Sequence, residues 1–303
     1  MRRLLLAVVF AELAAALVVA CGARSELDVG APQGTGGGLI EPDGAVPDAS
    51  RPDAPPDVIT HDVTVPDATM DASTCPPGTV TAYLVTQGGG TGRLFTFVPE
   101  TLATTPVGTF TCPTSAQAWT LTASASGLLY VMATDWKIYA VDPSTLSCEA
   151  TPYQLGQLGI SGGDTPFTVA PGFGGERLLL VGAGDGGPIL AQADLQGFAL
   201  SKVGPLGVTT WPLDIRADAF GRVYAFAETG EFFSIDAATG AATTPVQTGF
   251  ASGSNWALLT WNEDVYLFAG NSVARYDVHT NTVTPLGSLQ GNVVGASAAP
   301  CLH

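Results

Sequence analysis

The chain has 303 residues, with 11 lysines and arginines against 27 aspartates and glutamates, which gives a net charge of −16. Charged residues make up 13% of the chain, against a usual value of ~25%. A chain this acidic is not built to neutralise phosphates, so we exclude nucleic acid as a partner. The low charge, with 37 glycines and 22 prolines, also argues against a helical bundle or coiled coil.

Residues 1–20 have the pattern of an export signal. Arg2 and Arg3 form a positive start, and residues 4–20 are apolar apart from Glu12. This stretch is short and is interrupted by a carboxylate, so it makes a poor transmembrane span. We therefore predict an exported protein.

The signal ends in a motif that carries a family resemblance. Val18-Val19-Ala20-Cys21 resembles the lipobox of bacterial lipoproteins. The resemblance implies cleavage before Cys21 and attachment of lipid to its sulfur, and each buried CH₂ of that lipid stabilises membrane binding by ~0.8 kcal/mol. The alternative is an ordinary cleaved signal followed by a chance cysteine. We expect a lipid-anchored protein at the outer membrane or cell surface of a Gram-negative bacterium.

Residues 21–78 form the second predicted region, a linker that follows the lipidated cysteine. Proline–aspartate pairs recur every four or five residues, and large apolar side chains are rare, so this stretch cannot bury enough surface to fold. Residues 22–79 hold 10 acids and 2 bases, which is half of the net charge. The aspartate spacing does not match a calcium loop. Residues 21–29, followed by this linker, resemble the start of predicted myxobacterial surface lipoproteins, and this resemblance implies a location rather than a chemistry.

Residues 79–303 form the third region, which is built from repeats of short β-rich runs separated by turns. Five related segments end at equivalent positions, and most of them continue as Asp-x-x-Thr. These positions are Val98, Asp142, Asp194, Asp236 and Asp277, with spacings of 44, 52, 42 and 41. Four strands in each ~42-residue unit make a propeller blade. We expect the aspartates to accept hydrogen bonds from turn amides.

The repeats predict an all-β, five-bladed β-propeller. A six-bladed ring, with degenerate strands in residues 156–175, is the alternative. Residues 214–224 resemble NHL and quinoprotein-like propeller repeats, which implies the same fold and says little about activity. The chain starts inside a blade at residues 80–85, so residues 292–297 are expected to return as the missing inner strand and leave no free edge.

Four cysteines remain after Cys21. Ring closure would bring Cys75 and Cys301 together, and Cys112 and Cys148 would meet across one blade boundary, so we predict these two disulfides, which suit an exported protein. The chain has no Cys-x-x-Cys motif and only three histidines, so we expect no metal site. We also expect no cofactor.

A binding site is predicted on the face where loops lead into the inner strands. Tryptophans beside carboxylates and amides suit the stacking and hydrogen bonding of sugars, although packing between blades is the alternative role. The candidates are Trp119, Asp164, Trp211, Asp214, Asn255 and Trp256. We expect a non-catalytic binding or scaffolding module for a protein or glycan partner. The alternative is a carbohydrate-active enzyme in which Asp164 and Asp214 act as a carboxylate pair about 5–9 Å apart.

Overall fold

The computed structural model describes residues 81–160, 165–172, 174–250 and 255–300. The predicted signal peptide, Cys21, the linker, Cys75, Asp164 and Cys301 all lie outside the described residues. Within the described ranges, no helix is both long enough and apolar enough to cross a bilayer.

The described residues form twenty short strands and one turn of 3₁₀ helix at Gln157–Gly159. In chain order the strands are β1 (Ala82–Thr86), β2 (Gly92–Val98), β3 (Ala103–Phe110), β4 (Ala118–Ala123), β5 (Leu129–Ala133), β6 (Ile138–Val141), β7 (Cys148–Ala150), β8 (Phe167–Gly172), β9 (Gly175–Gly184), β10 (Gly187–Asp194), β11 (Ser201–Pro205), β12 (Pro212–Ala217), β13 (Val223–Ala227), β14 (Glu231–Ile235), β15 (Val246–Gln247), β16 (Trp256–Trp261), β17 (Asp264–Ala269), β18 (Ser272–Asp277), β19 (Thr282–Ser288) and β20 (Val293–Ser297).

These strands form five antiparallel four-stranded sheets, which are the five predicted blades. Blade 1 has the order β20-β1-β2-β3, and blades 2 to 5 take β4–β7, β8–β11, β12–β15 and β16–β19 in chain order. The innermost strands β4, β8, β12, β16 and β20 contact one another in a closed circle. The fold is a five-bladed β-propeller. The six-bladed alternative is wrong, because residues 167–172 form the inner strand of blade 3.

The ring closes through the last strand of the chain, as the sequence predicted. Strand β20 pairs antiparallel with β1, with Tyr83 opposite Ser297 and Leu84 opposite Ala296. The inner edge of blade 1 is therefore covered by the C-terminal strand, which leaves no unpaired inner edge in the ring.

The core lies between neighbouring blades. Inner strands and second strands are buried on both faces, as in β5 and β20, where every residue is buried. Apolar side chains from adjacent blades interlock, for example Val85 and Leu94 of blade 1 with Leu121 and Tyr139 of blade 2. Burial on both faces explains why these strands read as continuous apolar runs rather than as an alternating pattern.

The repeated aspartates close the turn between the third and fourth strands. Their carboxylates accept hydrogen bonds from backbone N–H groups two or three residues later, as in Asp277, which receives the amides of His279 and Thr280. Hydrogen bonds donated within the turns lower the pKa of all four aspartates, which are Asp142, Asp194, Asp236 and Asp277. Each turn also contains a residue with positive φ four places after the repeat position. The expected role in turn formation is thus seen in the structure.

One predicted disulfide lies within the described residues and is confirmed. Cys112, after β3 of blade 1, is bonded to Cys148, the first residue of β7 in blade 2, with their Cα atoms 4.9 Å apart. The bond joins two neighbouring blades across one boundary.

The longest repeat spacing reflects a covering loop and not an extra blade. Residues 151–160 leave β7 and run along the groove between blades 2 and 3, where Tyr153 and Ile160 enter the apolar core. Gln157 donates a hydrogen bond to the Phe198 carbonyl and accepts one from the Leu200 amide, so the loop is attached to blade 3.

Candidate functional site

An ion pair lies on the axis of the propeller. Asp214 and Arg216 are alternate residues of β12 and therefore share one face of the strand, which points inward. Arg216 Nη1 lies 2.8 Å from Asp214 Oδ1, and the exposed fractions of the two side chains are 2% and 0%. The pair is sealed from solvent.

The Arg216 guanidinium contacts the inner strands of three other blades. It donates to the carbonyl of Ala296 in β20 at 2.5 Å and to the carbonyl of Phe167 in β8 at 3.0 Å. It also donates to Thr120 Oγ1 in β4 at 3.1 Å. A single side chain of blade 4 thereby holds the backbones of blades 1 and 3 and a hydroxyl of blade 2.

Asp214 provides the link to the fifth blade. Its Oδ2 accepts the Leu258 amide of β16 at 2.7 Å, and its Oδ1 accepts the Thr120 hydroxyl at 3.2 Å and the Ile215 amide at 3.1 Å. Burial raises the pKa of Asp214 to about 6, although the Arg216 charge and these donors oppose the rise. The carboxyl is therefore ionised at neutral pH, and the ion pair ties together all five inner strands. We call Asp214 and Arg216 the axial pair.

A belt of hydroxyl groups links neighbouring inner strands around the axial pair. Each hydroxyl belongs to a buried or half-buried Thr or Ser and bonds to the backbone of a neighbouring inner strand. The bonds are Val169 N to Thr122 Oγ1 (2.9 Å), Ala217 N to Thr168 Oγ1 (3.1 Å), Thr260 Oγ1 to the Ala217 carbonyl (2.9 Å) and Ala123 N to Ser297 Oγ (2.9 Å).

Three of the predicted binding residues meet at the end of the ring where inner strands begin, which we call the upper face. Trp119, Asn255 and Trp256 line a space of about 10 Å³ together with Leu213 and Val294. This space has room for about one water molecule and none for a sugar ring.

The tryptophans of the upper face are packed against other aromatic rings. The half-buried Trp119 packs edge-on against Trp136, with ring centroids 6.1 Å apart. The buried Trp256 packs edge-on against Phe226, with ring centroids 5.6 Å apart. Trp211 is half-buried immediately before β12, on the same face. The cluster combines packing between blades with partial exposure to solvent.

The structure describes one of the two predicted carboxylates. Asp214 is fully buried below the upper face and saturated with donors, so its carboxylate does not reach solvent. Asp164 precedes β8 and lies outside the described residues. In the described part of the chain, no group of three or more His, Cys, Asp or Glu residues is placed to hold a metal ion.

Sequence reasoning missed Arg216 as the partner of Asp214. In the sequence, residues 214–216 form part of an apolar inner strand, but Asp214 and Arg216 carry opposite charges on either side of Ile215. Because side chains two residues apart lie on the same face of a strand, this spacing could have predicted the ion pair. Asp218, two residues on, closes the following turn by accepting the amides of Phe220 and Arg222, both at 2.9 Å.

Comparison with known proteins supports the fold. Neither a known protein family nor a curated protein matches the chain. A chain in the crystal structure of a nidogen–laminin complex is 13% identical, with a TM-score of 0.50, and the match covers 74% of this chain and all of that one. Identity this low shows the β-propeller fold alone.

Two further solved structures match with lower TM-scores. TolB from Acinetobacter baumannii is 16% identical with a TM-score of 0.46, and the match covers 75% of this chain and 56% of that one. A protein of unknown function from Bacteroides caccae is 13% identical with a TM-score of 0.42, over 69% of this chain and 73% of that one.

Proposed function

We propose that this protein is an exported, lipid-anchored propeller that acts as a non-catalytic binding or scaffolding module for a protein or glycan partner. In this proposal residues 1–20 are removed, Cys21 carries lipid, residues 21–78 are the tether, and residues 79–303 are the recognition domain. The partner binds the upper face, where Trp119, Trp211 and Asn255 are partly exposed.

The axial pair is the observation that carries this proposal. Because Asp214 and Arg216 occupy the centre of the ring and bond to all five inner strands, the axis is part of the scaffold. Recognition is therefore assigned to the upper face and not to a site on the axis. An enzyme that used Asp214 would need a carboxylate able to reach its substrate, and this one has no exposed surface.

Two further observations support export and protein binding. The Cys112–Cys148 disulfide suits an oxidising compartment. The similar propeller in the nidogen–laminin crystal structure belongs to a protein–protein complex, which favours a protein partner for this chain as well.

A matched pair of tryptophan variants tests the proposed face. Full-length protein in detergent is immobilised and exposed to envelope extract and to a glycan array. Trp119→Ala, on the upper face, should lower retention of the bound partner at least 10-fold. Trp261→Ala, at the far end of β16 and also half-buried, should leave retention unchanged. Equal retention by both variants would refute the proposed face.

A second measurement separates binding from catalysis. Wild type and Asp214→Asn are incubated with a panel of oligosaccharides, and released sugars are measured. We expect no release by either protein. Release of sugars by wild type would establish the enzyme alternative instead, and Asp214→Asn that is folded by circular dichroism but inactive would assign the activity to this carboxyl.

The anchor is tested by mass spectrometry of the mature N-terminus. We expect a lipid-modified Cys21, and release from the membrane after Cys21→Ser. An unmodified N-terminus, or a Cys21→Ser protein that stays on the membrane, would contradict the anchor.

The second disulfide is also part of the proposal. The pairing of β20 with β1 brings together the chain segments that lead to Cys75 and Cys301. A non-reducing peptide map should contain a Cys75–Cys301 crosslinked peptide, and free thiols at both positions would contradict it.

A further inference from the structure

A small pocket opens at the boundary between blades 5 and 1. It contains a cavity of about 310 Å³, which is at the lower end of the range that small ligands occupy. We call it the blade 5/1 pocket and define it by Thr86, Arg93, Phe95, Thr104, Leu289 and Gln290.

The pocket is open because the chain crosses this boundary in a short connection. Only residues 289–292 join β19 to β20, whereas the other connections between neighbouring blades have 6 to 16 residues. The connection is tied to a hairpin of blade 5, because the Leu289 amide donates to the Asn271 carbonyl and the Val293 amide to the Gly270 carbonyl. A connection this short turns directly into β20 and leaves the outer part of the boundary uncovered.

One wall of the pocket is apolar and in contact with solvent. Arg93, Phe95 and Phe97 alternate along β2 and therefore share one face of the strand. That face points to blade 5, since Phe97 packs edge-on against Phe268 of β17 with ring centroids 5.7 Å apart. Along this face Arg93 is exposed, Phe95 half-buried and Phe97 buried. Phe95 and the half-buried Leu289 thus cover the core and still present apolar surface to the pocket.

The polar side chains of the pocket have no protein partner. In the part of the chain that the structure describes, none of them makes a hydrogen bond or an ion pair with another residue. These groups are the hydroxyls of Thr86 and Thr104, the amide of Gln290 and the guanidinium of Arg93. Their hydrogen-bonding capacity is available to a ligand.

The polar groups of two other cavities are already used within the protein. Between blades 3 and 4, Arg177 donates to Gln192 Oε1 at 2.6 Å and to the Ala237 carbonyl at 3.2 Å. At the lower end of the boundary between blades 5 and 1, Arg275 lies 3.7 Å from Asp264. Both of these cavities also have carboxylates in their walls. Among the described residues, no carboxylate lines the blade 5/1 pocket.

The charge of Arg93 decides which ligand the pocket fits. Its guanidinium presents a planar fork of N–H donors that matches the two oxygens of a carboxylate. A cationic ligand would be repelled, and a neutral one would leave the guanidinium without a counter-ion. The apolar surface of Phe95 and Leu289 adds affinity only for a ligand that has an apolar body as well.

We propose that the blade 5/1 pocket binds a small organic carboxylate, with the carboxylate on Arg93 and an apolar body against Phe95 and Leu289. Thr86, Thr104 and Gln290 supply further hydrogen bonds to its polar atoms. The pocket shares no lining residue with the space beside Trp119, so this inference is independent of what binds at the upper face.

Three matched probes test the chemistry of the ligand. Phenylacetate carries both a carboxylate and an apolar ring, phenylacetamide keeps the ring without the charge, and acetate keeps the charge without the ring. Each is titrated into full-length protein in a non-ionic detergent, and binding is measured by isothermal titration calorimetry. Phenylacetate should bind at least 10-fold more tightly than either of the other two.

Matched variants test the residue. Arg93→Met removes the guanidinium and keeps an apolar side chain, so it should weaken binding of phenylacetate at least 10-fold and leave phenylacetamide unchanged. Arg93→Lys should have an intermediate affinity, because an ammonium group cannot make the bidentate contact. Lys202→Met, which removes an exposed charge from β11, is the control and should bind phenylacetate like wild type. Circular dichroism verifies that all variants are folded.

Four results would overturn the proposal. These are no binding of phenylacetate to wild type at millimolar concentration, equal binding of phenylacetate by Arg93→Met and Lys202→Met, binding of phenylacetamide as tight as that of phenylacetate, or binding of acetate as tight as that of phenylacetate, which would show an adventitious ion only. Trp119→Ala should bind phenylacetate like wild type, so this proposal and the one for the upper face fail separately.

Discussion

Two charged residues on β12 hold the ring together at its centre. Removing two charges from water is costly, and a buried pair offsets that cost only when further hydrogen bonds satisfy both groups. Asp214 and Arg216 meet this condition, since their partners come from β4, β8, β16 and β20. Because these partners lie on different inner strands, the pair fixes the position of each blade along the propeller axis relative to the others.

Loss of Arg216 should be strongly destabilising. Arg216→Met leaves a buried carboxylate without its partner, which costs about 3–5 kcal/mol. Arg275→Met is the matched control, because its pair with Asp264 is nearly half exposed, at 3.7 Å, and such pairs contribute about 0–1 kcal/mol. Urea unfolding of both variants measures the difference, and equal stabilities would contradict the structural role of the axial pair.

The raised pKa of Asp214 predicts a pH dependence of stability. The native carboxyl titrates at about 6 and the unfolded one near ~3.9, so the folded protein holds this proton more tightly. Its contribution is fully present below the unfolded pKa and is lost as pH rises through about 6. The unfolding free energy of wild type relative to Asp214→Asn should fall by about 2 kcal/mol between pH 4 and 7. A difference that rises over this interval would contradict the direction.

At the scale of the strands, the hydrogen-bonded turn before the outer strand recurs in the blades, whereas the outer strands differ in length. The aspartate turns and the positive-φ residue after them recur in blade after blade, and local sequence predicted the aspartates because their hydrogen bonds are formed within a few residues. The two-residue length of β15 and the course of residues 151–160 were not predicted. Both depend on packing between blades and not on local pattern.

The turn of blade 4 approaches the outer strand of blade 3 closely. A side chain on Gly204 would place its Cβ 2.0 Å from the Thr239 carbonyl oxygen, and Gly240, with φ of +82°, contacts Gly204 from the other side. Gly204→Ala should therefore destabilise the protein by about 1–3 kcal/mol through overpacking.

A second glycine provides the control for that measurement. Gly186 has open space where a Cβ would lie and no positive φ, so Gly186→Ala should change the midpoint of thermal unfolding little. Equal shifts in the two variants would show that the contact between Gly204 and Thr239 is not tight.

At the scale of the whole molecule, strand β20 and the disulfides both hold the ring of blades closed. An open ring would leave blade 1 without its inner strand, and β20 supplies it from the other end of the chain. The Cys112–Cys148 bond spans 36 residues, for which the chain-entropy model gives about 4 kcal/mol.

The double variant Cys112→Ala/Cys148→Ala separates the two bridges. Its unfolding free energy should be lower than that of wild type by up to about 4 kcal/mol. Reductant should destabilise the double variant further, because the proposed Cys75–Cys301 bridge closes a much longer loop. Unfolding curves with and without reductant measure both effects, and an unchanged curve for the reduced double variant would argue against the second bridge.

The sequence by itself determined the repeat, the closure by the last strand and the Cys112–Cys148 pairing, because each follows from spacing along the chain. Only the tertiary structure decided what lies at the centre and on the sides of the ring. Alternation puts Asp214 and Arg216 on one face of β12, but four other strands bury that face and supply its hydrogen bonds. The course of residues 151–160 likewise depends on hydrogen bonds that Gln157 makes with Phe198 and Leu200 of blade 3. Contacts between distant segments made both features, and no local pattern encodes such contacts.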